Sequence, residues 1–357
     1  MEIGVCVASK IDDIGYVVRA EELGYSHAWF ADSQMIWSDP YACLALAADR
    51  TSTIRLGTGV AVAATRPAPV AASSIATINR LAPGRTFFGV GTGNTAMRIM
   101  GHKPMRITEF EEYLRVVRPL LRGDEIDYEW RGERSLVRHI MADDGFVDFE
   151  HPIPVHVSGF GPRSLALAGQ YGDGAVVSIP PTAGAVQRVW GAIEAGATAA
   201  GRTVGRSDFH TCSLTTIVVL DPGETVDSPR VKEQAGAFAI AGLHYGYDQQ
   251  RNFGRWPGGP VAEHWDDYTE MLSEFDPDRV HQRVHAGHNC WVVPDEERFV
   301  TPDLISNSCI VGTADQIVDR LGELGDAGLD QVMILPPFDP RYEVLERVGA
   351  DIIPQLS

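Results

Sequence analysis

Basic residues and long apolar runs are both scarce in this chain. It has 30 lysines and arginines against 48 aspartates and glutamates, which gives a formal net charge of −18. Nucleic acids and anionic membranes are bound through basic faces, so we expect neither as a partner. No run approaches the roughly 20 apolar residues that a membrane span needs. The opening MEIGVCVASK lacks the charged start and cleavage site of a signal peptide, so we expect a cytoplasmic protein.

Cysteine motifs and dinucleotide fingerprints are also missing. The five cysteines are odd in number and form no C-x-x-C pair, which argues against a disulfide framework or a zinc site. No Gly-x-Gly-x-x-Gly opens a helix after the first predicted strand. His281, His285 and His288 lack a framing carboxylate motif. We therefore predict no metal site and expect these histidines to lie near a substrate pocket.

Short apolar strands alternate with amphipathic helices along the whole sequence. This alternation is typical of a parallel α/β fold. Eight strands predict a (β/α)₈ TIM barrel in one domain, residues 1–357, with a doubly wound sheet as the second possibility. The predicted strands cover residues 3–8, 27–31, 54–60, 86–90, 153–158, 174–179, 210–220 and 331–335.

Two segments interrupt this alternation and predict insertions. Residues 124–150, after strand four, have short β-like pieces and predict a small hairpin. Residues 221–307, after strand seven, predict helices over 231–241 and 261–275 with an aromatic, glycine-rich stretch between them. Long insertions in compact folds are usually functional, so we expect the second to cover the barrel mouth and shape the substrate pocket. A role in dimerisation is the competing interpretation.

Polar and small residues follow several strands where parallel barrels place their ligand sites. Asp32 and Trp37 follow strand two. Helix capping or a buried ion pair is the simpler explanation for Asp32, and core packing is the simpler explanation for Trp37. The glycine-rich ends of strands three and four favour either a flat ligand against the main chain or tight turns. After strand five, residues 158–163 open a helix with two glycines and an arginine, which suits an anion or a tight turn with a solvated side chain.

Several motifs in order resemble the luciferase-like flavin and deazaflavin oxidoreductases. They are LGTGV, the Thr65-Arg66-Pro67 step, ASSIATINRLAPGR, GVGTGN, VSGFGPRSLALAGQYGDGAVVS at 157–178 and SCIVGTADQIVDRLGELGDAGLDQVMI at 308–334. Within that family the similarity is greatest to methylenetetrahydromethanopterin reductase and its deazaflavin-dependent relatives. The resemblance implies a homodimeric TIM-barrel enzyme that transfers a hydride between coenzyme F-420 and a small carbonyl, imine or pterin-like substrate. The alternatives are an FMN-dependent two-component monooxygenase and a cofactor-binding barrel without turnover.

The resemblance also implies roles for individual residues. Ser33 stands where relatives often carry a histidine, and Asn94 where some carry a glutamate; the implied catalytic set is Asp32, Ser33 and Asn94. A non-proline cis peptide between Gly59 and Val60 would back the middle ring of the cofactor. A basic groove for an acidic tail would draw on Arg66, Arg98, Lys103, Arg106 and Arg188. The implied cofactor-binding set is Asp32, Trp37, Gly59, Val60, Thr92, Gly93, Ser158, Gly159, Gly161, Pro162, Arg163 and Ser178.

Overall fold

The structure is a computed structural model, which describes residues 1–356. These residues form twelve strands: β1 (Glu2–Val7), β2 (His27–Phe30), β3 (Arg55–Val62), β4 (Thr86–Gly91), β5 (Ile126–Trp130), β6 (Glu133–Val137), β7 (Val155–Ser158), β8 (Gly174–Val177), β9 (His210–Thr215), β10 (Ile217–Val219), β11 (Ile310–Gly312) and β12 (Gln331–Ile334). They also form fourteen α-helices: α1 (Gly15–Glu22), α2 (Pro40–Arg50), α3 (Ala68–Leu81), α4 (Asn94–Arg98), α5 (Ile107–Leu120), α6 (Pro162–Tyr171), α7 (Ala183–Ala199), α8 (Pro229–Phe253), α9 (Pro260–Glu263), α10 (Trp265–Ser273), α11 (Val280–Arg283), α12 (Pro302–Ser308), α13 (Ala314–Ala327) and α14 (Arg341–Asp351).

Eight of the strands close into a parallel barrel, in the order β1-β12-β9-β8-β7-β4-β3-β2. Each barrel strand is followed in the chain by at least one helix, so the predicted (β/α)₈ fold is confirmed. The barrel strands are short and mostly buried, which explains why the sequence shows them as apolar runs rather than as alternating patterns. This arrangement brings the carboxyl ends of all eight strands to one mouth.

Strand seven is shorter than the apolar run 210–220 predicts. The barrel strand β9 ends at Thr215, and the chain then leaves the barrel. The next segment, β10, pairs in parallel with β11 in a separate two-stranded sheet. The Thr215 hydroxyl donates to the carbonyl of Ser308 at 2.6 Å and so ties the exit point to the end of the insertion. An apolar run has the same appearance in sequence whichever sheet it joins, so the break could not be read from periodicity.

The insertion after β9 is more helical than the sequence suggests. Helix α8 runs 25 residues to Phe253 and so extends into the aromatic, glycine-rich stretch that follows the predicted helix 231–241. Gly246 lies inside it, where an added Cβ would come within 3.2 Å of Trp265 and 3.3 Å of Val261. The glycine therefore permits close helix packing rather than ending the helix. The helix expected over 261–275 is divided into α9 and α10.

Residues 124–150 contain the antiparallel hairpin β5–β6, as expected. One apolar cluster fills the space between the barrel and its outer helices. A second joins residues inside the barrel, including Trp29 and Phe87, to residues of the insertion such as Leu243 and Tyr268. The insertion is therefore packed onto the barrel by a continuous core. No helix within residues 1–356 is both long and apolar enough to cross a membrane.

Candidate active site

A cavity of about 700 Å³ lies at the barrel mouth. It is lined by residues that follow the barrel strands and by residues of α8 and of the loop after α11. The insertion therefore covers the mouth, as expected from its length. Every residue of the implied catalytic and cofactor-binding sets lines this one cavity: Asp32, Ser33, Trp37, Gly59, Val60, Thr92, Gly93, Asn94, Ser158, Gly159, Gly161, Pro162, Arg163 and Ser178.

Glycines bring the main chain to the cavity wall at the ends of β3 and β4. The peptide bond between Gly59 and Val60 is cis, as the resemblance implies, and the pairing register of β3 and β4 shifts at this point. A Cβ at position 59 would lie 2.5 Å from the Cβ of Trp29, so no larger residue fits. Gly93 has φ 82°, a left-handed conformation that glycine adopts readily. Backbone atoms, rather than side chains, therefore form this wall.

The start of helix α6 forms the neighbouring part of the cavity wall, because β7, which precedes it, pairs with β4. Residues 158–164 all line it, and the Ser164 hydroxyl donates to the carbonyl of Gly161 at 3.0 Å. A Cβ built on Gly161 meets no atom within 4 Å, so a side chain at this position would project into free space. The helix N-terminus and the Arg163 side chain together suit an anionic group.

Asp32 is the one carboxylate among the described residues that line the cavity. It is only 4% exposed, and its Oδ2 accepts hydrogen bonds from the Val62 amide at 3.2 Å and from Arg66 Nε at 3.4 Å. Burial raises the pKa of the Asp32 carboxyl, while the Arg66 charge and the Val62 amide act in the opposite direction. Helix capping is not its role, because Asp39 caps α2.

Four cations accompany that single carboxylate. Lys103, Arg106, Arg163 and Arg255 line the cavity, and only Arg106 has an ion-pair partner among the described residues, Glu109 at 2.8 Å. The cavity is therefore locally positive in a chain with a net charge of −18. Such a reversal of charge favours an anionic ligand.

The structure corrects the prediction that five basic residues form one groove. Arg98 is buried in an ion pair with Asp248 of α8 at 2.9 Å and also donates to Asn94 Oδ1 at 3.2 Å. Arg66 is engaged by Asp32 and by Asp39, and Arg188 does not line the cavity. Of the five basic residues considered, Lys103 and Arg106 remain. Sequence could not reveal the Arg98 pair, because its partner lies 150 residues away.

Asn94 and Ser33 give the cavity neutral polar groups. Because a guanidinium only donates hydrogen bonds, the Asn94 oxygen must face Arg98, which leaves its amide N–H groups as donors. The Ser33 carbonyl accepts from the Trp37 amide at 3.1 Å, so the two belong to one turn. The Trp37 indole in turn donates to Cys290 Sγ at 3.3 Å, which holds the insertion against this turn.

The sequence did not single out all of the residues that line the cavity. Cys6 and Met333 come from barrel strands, and Tyr245, Gln249 and Phe253 come from α8. Burial raises the pKa of Cys6 to about 12, so its thiol is protonated at neutral pH. Among the three histidines of the insertion that were considered, His288 lines the cavity, whereas His285 lies behind it.

One group of potential metal ligands lies at the far end of the barrel. Side-chain atoms of Glu2, His27 and His210, the first residues of three strands, lie within 4.8 Å of one another. The amide nitrogen of Gln331 is 2.6 Å from His27 Nδ1 and 3.2 Å from Glu2 Oε2. This amide already donates to the group, because its oxygen is held by the Trp29 indole at 2.8 Å. The arrangement is a hydrogen-bond network closing the barrel floor.

Comparisons with known proteins agree with this architecture. The model of the luciferase-like monooxygenase family matches residues 11–331. A 5,10-methylenetetrahydromethanopterin reductase of Archaeoglobus fulgidus is 28% identical over 96% of this chain and 95% of its own. An F-420-dependent glucose-6-phosphate dehydrogenase of Kineococcus radiotolerans is 28% identical over 80% of this chain and 88% of its own. The solved structure of a coenzyme F-420-dependent tetrahydromethanopterin reductase of Methanopyrus kandleri has the same fold, with a TM-score of 0.71, 23% identity, and 100% and 99% of the two chains covered.

Proposed function

Because the chain belongs to the luciferase-like monooxygenase family, whose members are oxidoreductases, we propose that it transfers a hydride between coenzyme F-420 and a small organic substrate. The substrate class is a carbonyl, imine or pterin-like compound. Among the relatives that match most of the chain are a methylenetetrahydromethanopterin reductase and an F-420-dependent dehydrogenase, which supports this choice of cofactor. A cytoplasmic homodimer belongs to the same proposal.

The observation that carries this proposal is the charge of the cavity. Coenzyme F-420 is an acidic molecule with a phosphodiester and an oligoglutamate tail, whereas FMN ends in a single phosphate. Four cations against one carboxylate, spread from α6 to the insertion, suit an extended anion better than a single phosphate. The open space above Gly161 and the backbone wall at Gly59 and Gly93 fit a flat ring and its tail.

Each group of residues would have a separate role, set by its position in the cavity. The backbone at Gly59, Val60, Thr92 and Gly93 would support the ring system, and Arg163 with the start of α6 would hold phosphate. When bound, the coenzyme supplies the hydride chemistry, which no protein side chain can provide. Asp32, Asn94 and Ser33 would orient the substrate beside it. The residues of the insertion that line the cavity would limit the access of bulk water.

Titration of the purified protein with coenzyme F-420 and, separately, with FMN tests the choice of cofactor. We expect a shift of the deazaflavin absorbance band and saturable binding for coenzyme F-420, and at least tenfold weaker binding for FMN. Tighter binding of FMN would instead support a monooxygenase. Binding of neither would contradict the proposal that this cavity is a cofactor site.

A glycine variant shows whether the coenzyme occupies this cavity. Gly161→Leu places a side chain in free space without a clash, and position 161 has an extended backbone that leucine tolerates. We expect it to abolish coenzyme binding and to leave the melting temperature unchanged. Gly191→Ala is the matched control, because its added Cβ also meets no atom within 4 Å but its position in α7 is outside the cavity.

A further inference from the structure

Two aromatic side chains meet in the cavity, one from the barrel and one from the insertion. Phe160 lies in the loop between β7 and α6, and Tyr245 lies in α8. Both line the cavity, and their ring centroids are 5.5 Å apart, with the ring planes inclined by 39°. The two residues nonetheless stay 46% and 37% exposed. Accessible apolar surface of this kind within a cavity marks a place where an apolar ligand group binds.

Helix α8 presents different faces to the cavity and to the rest of the insertion. Tyr245, Gln249 and Phe253 line the cavity and are four residues apart, so they lie on one face of the helix. Another face carries Gly246, where Trp265 packs closely. Neither Tyr245 nor Phe253 belongs to the two apolar clusters formed by residues 1–356. The aromatic rings of the first face are therefore free to contact a ligand.

The Tyr245 ring is held in place by Arg98. The guanidinium carbon of Arg98 lies 5.6 Å from the centroid of this ring, a distance at which a cation attracts an aromatic face. Arg98 is itself fixed by the buried ion pair with Asp248 and by its hydrogen bond to Asn94 at 3.2 Å. The ring is thus positioned beside Asn94. A ring that is already fixed loses little freedom when a ligand binds, which favours binding.

The loop that carries Phe160 is anchored on both sides of it. The Gly159 amide donates to the Val176 carbonyl at 3.1 Å, and the Gly161 amide donates to the Ser164 hydroxyl at 3.3 Å. A Cβ at position 159 would lie 2.7 Å from Ser164 Oγ, so the loop packs closely against the start of α6. Phe160 and Tyr245 therefore form a surface that exists before a ligand binds, and we call these two residues the aromatic platform.

The aromatic platform suits the substrate better than the coenzyme. The proposed function places the ring system of the coenzyme on the backbone at Gly59 and Gly93, and its tail is acidic. An aromatic ring has a negative face, which disfavours an anionic tail. Asp248 also neutralises Arg98, the cation nearest to Tyr245. A neutral ring is the matching ligand group, because aromatic pairs attract each other in offset or edge-to-face contact.

We propose that the aromatic platform binds an aryl group of the substrate, so that the reducible compound is an aryl-substituted ketone, aldehyde or imine. The amide N–H groups of Asn94, left free by the contact of its oxygen with Arg98, donate to the carbonyl oxygen or imine nitrogen of the same molecule. Phe160 and Tyr245 thus determine specificity and take no part in the bond changes. This inference rests on the proposed hydride transfer.

Equilibrium binding to the full chain loaded with oxidised coenzyme F-420 tests the aromatic platform without turnover, because the oxidised coenzyme has no hydride to give. The probes are acetophenone, phenylacetone and 4-phenylbutan-2-one, each compared with the ketone that has cyclohexyl in place of phenyl. Quenching of the deazaflavin fluorescence gives the dissociation constants. We expect at least one aryl ketone to bind the wild-type protein about fivefold more tightly than its cyclohexyl counterpart.

Four variants assign this preference to the aromatic platform. Tyr245→Leu and Phe160→Leu should each reduce the preference to below about twofold, whereas Tyr245→Phe keeps the ring and should keep the preference. Tyr247→Leu is the matched control, because Tyr247 lies in the same helix but does not line the cavity. Coenzyme affinity should stay within about threefold of wild type in all four. Melting temperatures show which variants are folded, and Phe160→Leu decides if Tyr245→Leu is not.

Three results would overturn the aromatic platform. The first is equal binding of phenyl and cyclohexyl ketones by the wild-type protein at every linker length. The second is a preference that survives both leucine variants, since another group would then carry it. The third is a loss of coenzyme affinity of tenfold or more in Tyr245→Leu, which would assign the ring to the coenzyme.

Two further measurements separate this inference from the proposed function. The ketone titrations are repeated without coenzyme by calorimetry, so that a protein that binds no coenzyme F-420 still reports on the aromatic platform. The wild-type protein loaded with reduced coenzyme is also mixed with the same ketones. An aryl preference without oxidation of the coenzyme would overturn the proposed function alone. Oxidation by the ketones without an aryl preference would overturn the aromatic platform alone.

Discussion

At the scale of single residues, Asp32 is the group whose surroundings decide most about the chemistry. Its carboxylate faces the cavity but accepts from the Val62 amide and from Arg66, so its position is fixed by the main chain of β3. Burial raises its pKa above the ordinary value near 4. A carboxylate in this environment can orient a substrate or water molecule, and it holds a proton more readily than an exposed one.

Replacing Asp32 by asparagine should therefore affect turnover more than binding. Asp32→Asn keeps the acceptor oxygen for Val62 and removes the charge. We expect coenzyme affinity within about threefold of wild type and a single-turnover rate about 10²-fold lower. Asp39→Asn is the matched control, because asparagine still caps α2 and position 39 also contacts Arg66 but lies outside the cavity. A wild-type rate in Asp32→Asn across pH 6–8 would assign the proton chemistry to other groups.

Arg163 offers a test of anion binding at α6. It lines the cavity without an ion-pair partner among the described residues, so its charge is available to a ligand. Loss of a charged hydrogen bond predicts that Arg163→Ala weakens coenzyme binding by about 1.5–3 kcal/mol. Arg188→Ala removes an arginine that is also exposed but lies outside the cavity, and it should leave affinity unchanged. Equal affinity of the two variants in a fluorescence titration would place the phosphate elsewhere.

At the scale of secondary-structure elements, the contact between α8 and α4 joins the insertion to the barrel. Asp248 Oδ2 of α8 accepts hydrogen bonds from Arg98 Nη1 at 2.9 Å and from His285 Nε2 at 3.1 Å, and all three side chains are buried. Arg98 in turn orients Asn94 in the cavity. The same ion pair therefore holds the covering helix and fixes a polar group of the site.

Breaking this pair should loosen the insertion. Asp248→Asn leaves the Arg98 charge buried without a counter-charge, which typically costs about 3–5 kcal/mol. We expect that loss in urea unfolding, together with faster amide exchange in α8 and α4 than in the barrel strands. Asp227→Asn removes the exposed pair with Lys232 and should cost less than about 1 kcal/mol. If amide exchange became faster to the same extent throughout the molecule, the pair would not stabilise the insertion more than the rest of the fold.

The elements of the barrel could be predicted from sequence because each depends on local pattern. Helix α3 follows Pro67 and ends before Gly84, and β4 delivers its glycines to the mouth as expected. The start of β10 could not be separated from β9, because both are apolar and extended. The length of α8 could not be predicted either, because the close packing of Gly246 against Trp265 depends on residues outside the helix. Sequence indicates local conformation, and distant packing partners decided these two cases.

The residues of the candidate site also fall into those that sequence could place and those that it could not. Residues that follow strands were found because strand order alone brings them to one mouth. His288, Tyr245 and Arg98 were harder to place, because their positions depend on how the insertion folds back. The charge of the cavity could not be read from composition at all. It depends on which of many arginines are already paired.

At the scale of the whole molecule, buried histidines make stability depend on pH. Burial lowers the pKa of His27 to about 2 and lowers those of His156, His210, His285 and His288 below the ordinary value of about 6.5. These rings are neutral in the folded chain, whereas the unfolded chain takes up protons near pH 6.5. Their contribution to stability is therefore present above pH 6.5 and is lost as the pH falls toward the lower, folded-state values.

We expect a steep loss of stability between pH 6.5 and pH 5. Each buried histidine contributes up to about 1.4 kcal/mol per pH unit in this range, so their joint effect is several kcal/mol. Carboxylates with lowered pKa, such as Asp248, add to the loss only near pH 4.

Urea unfolding at half-unit pH intervals tests this expectation, because the slope of the unfolding free energy against pH gives the number of protons bound on unfolding. His156→Leu removes one buried ring and should reduce that number by about one below pH 6, whereas His102→Asn, at an exposed position, should leave it unchanged. A flat profile from pH 7 to pH 5 would show that these rings are protonated in the folded chain.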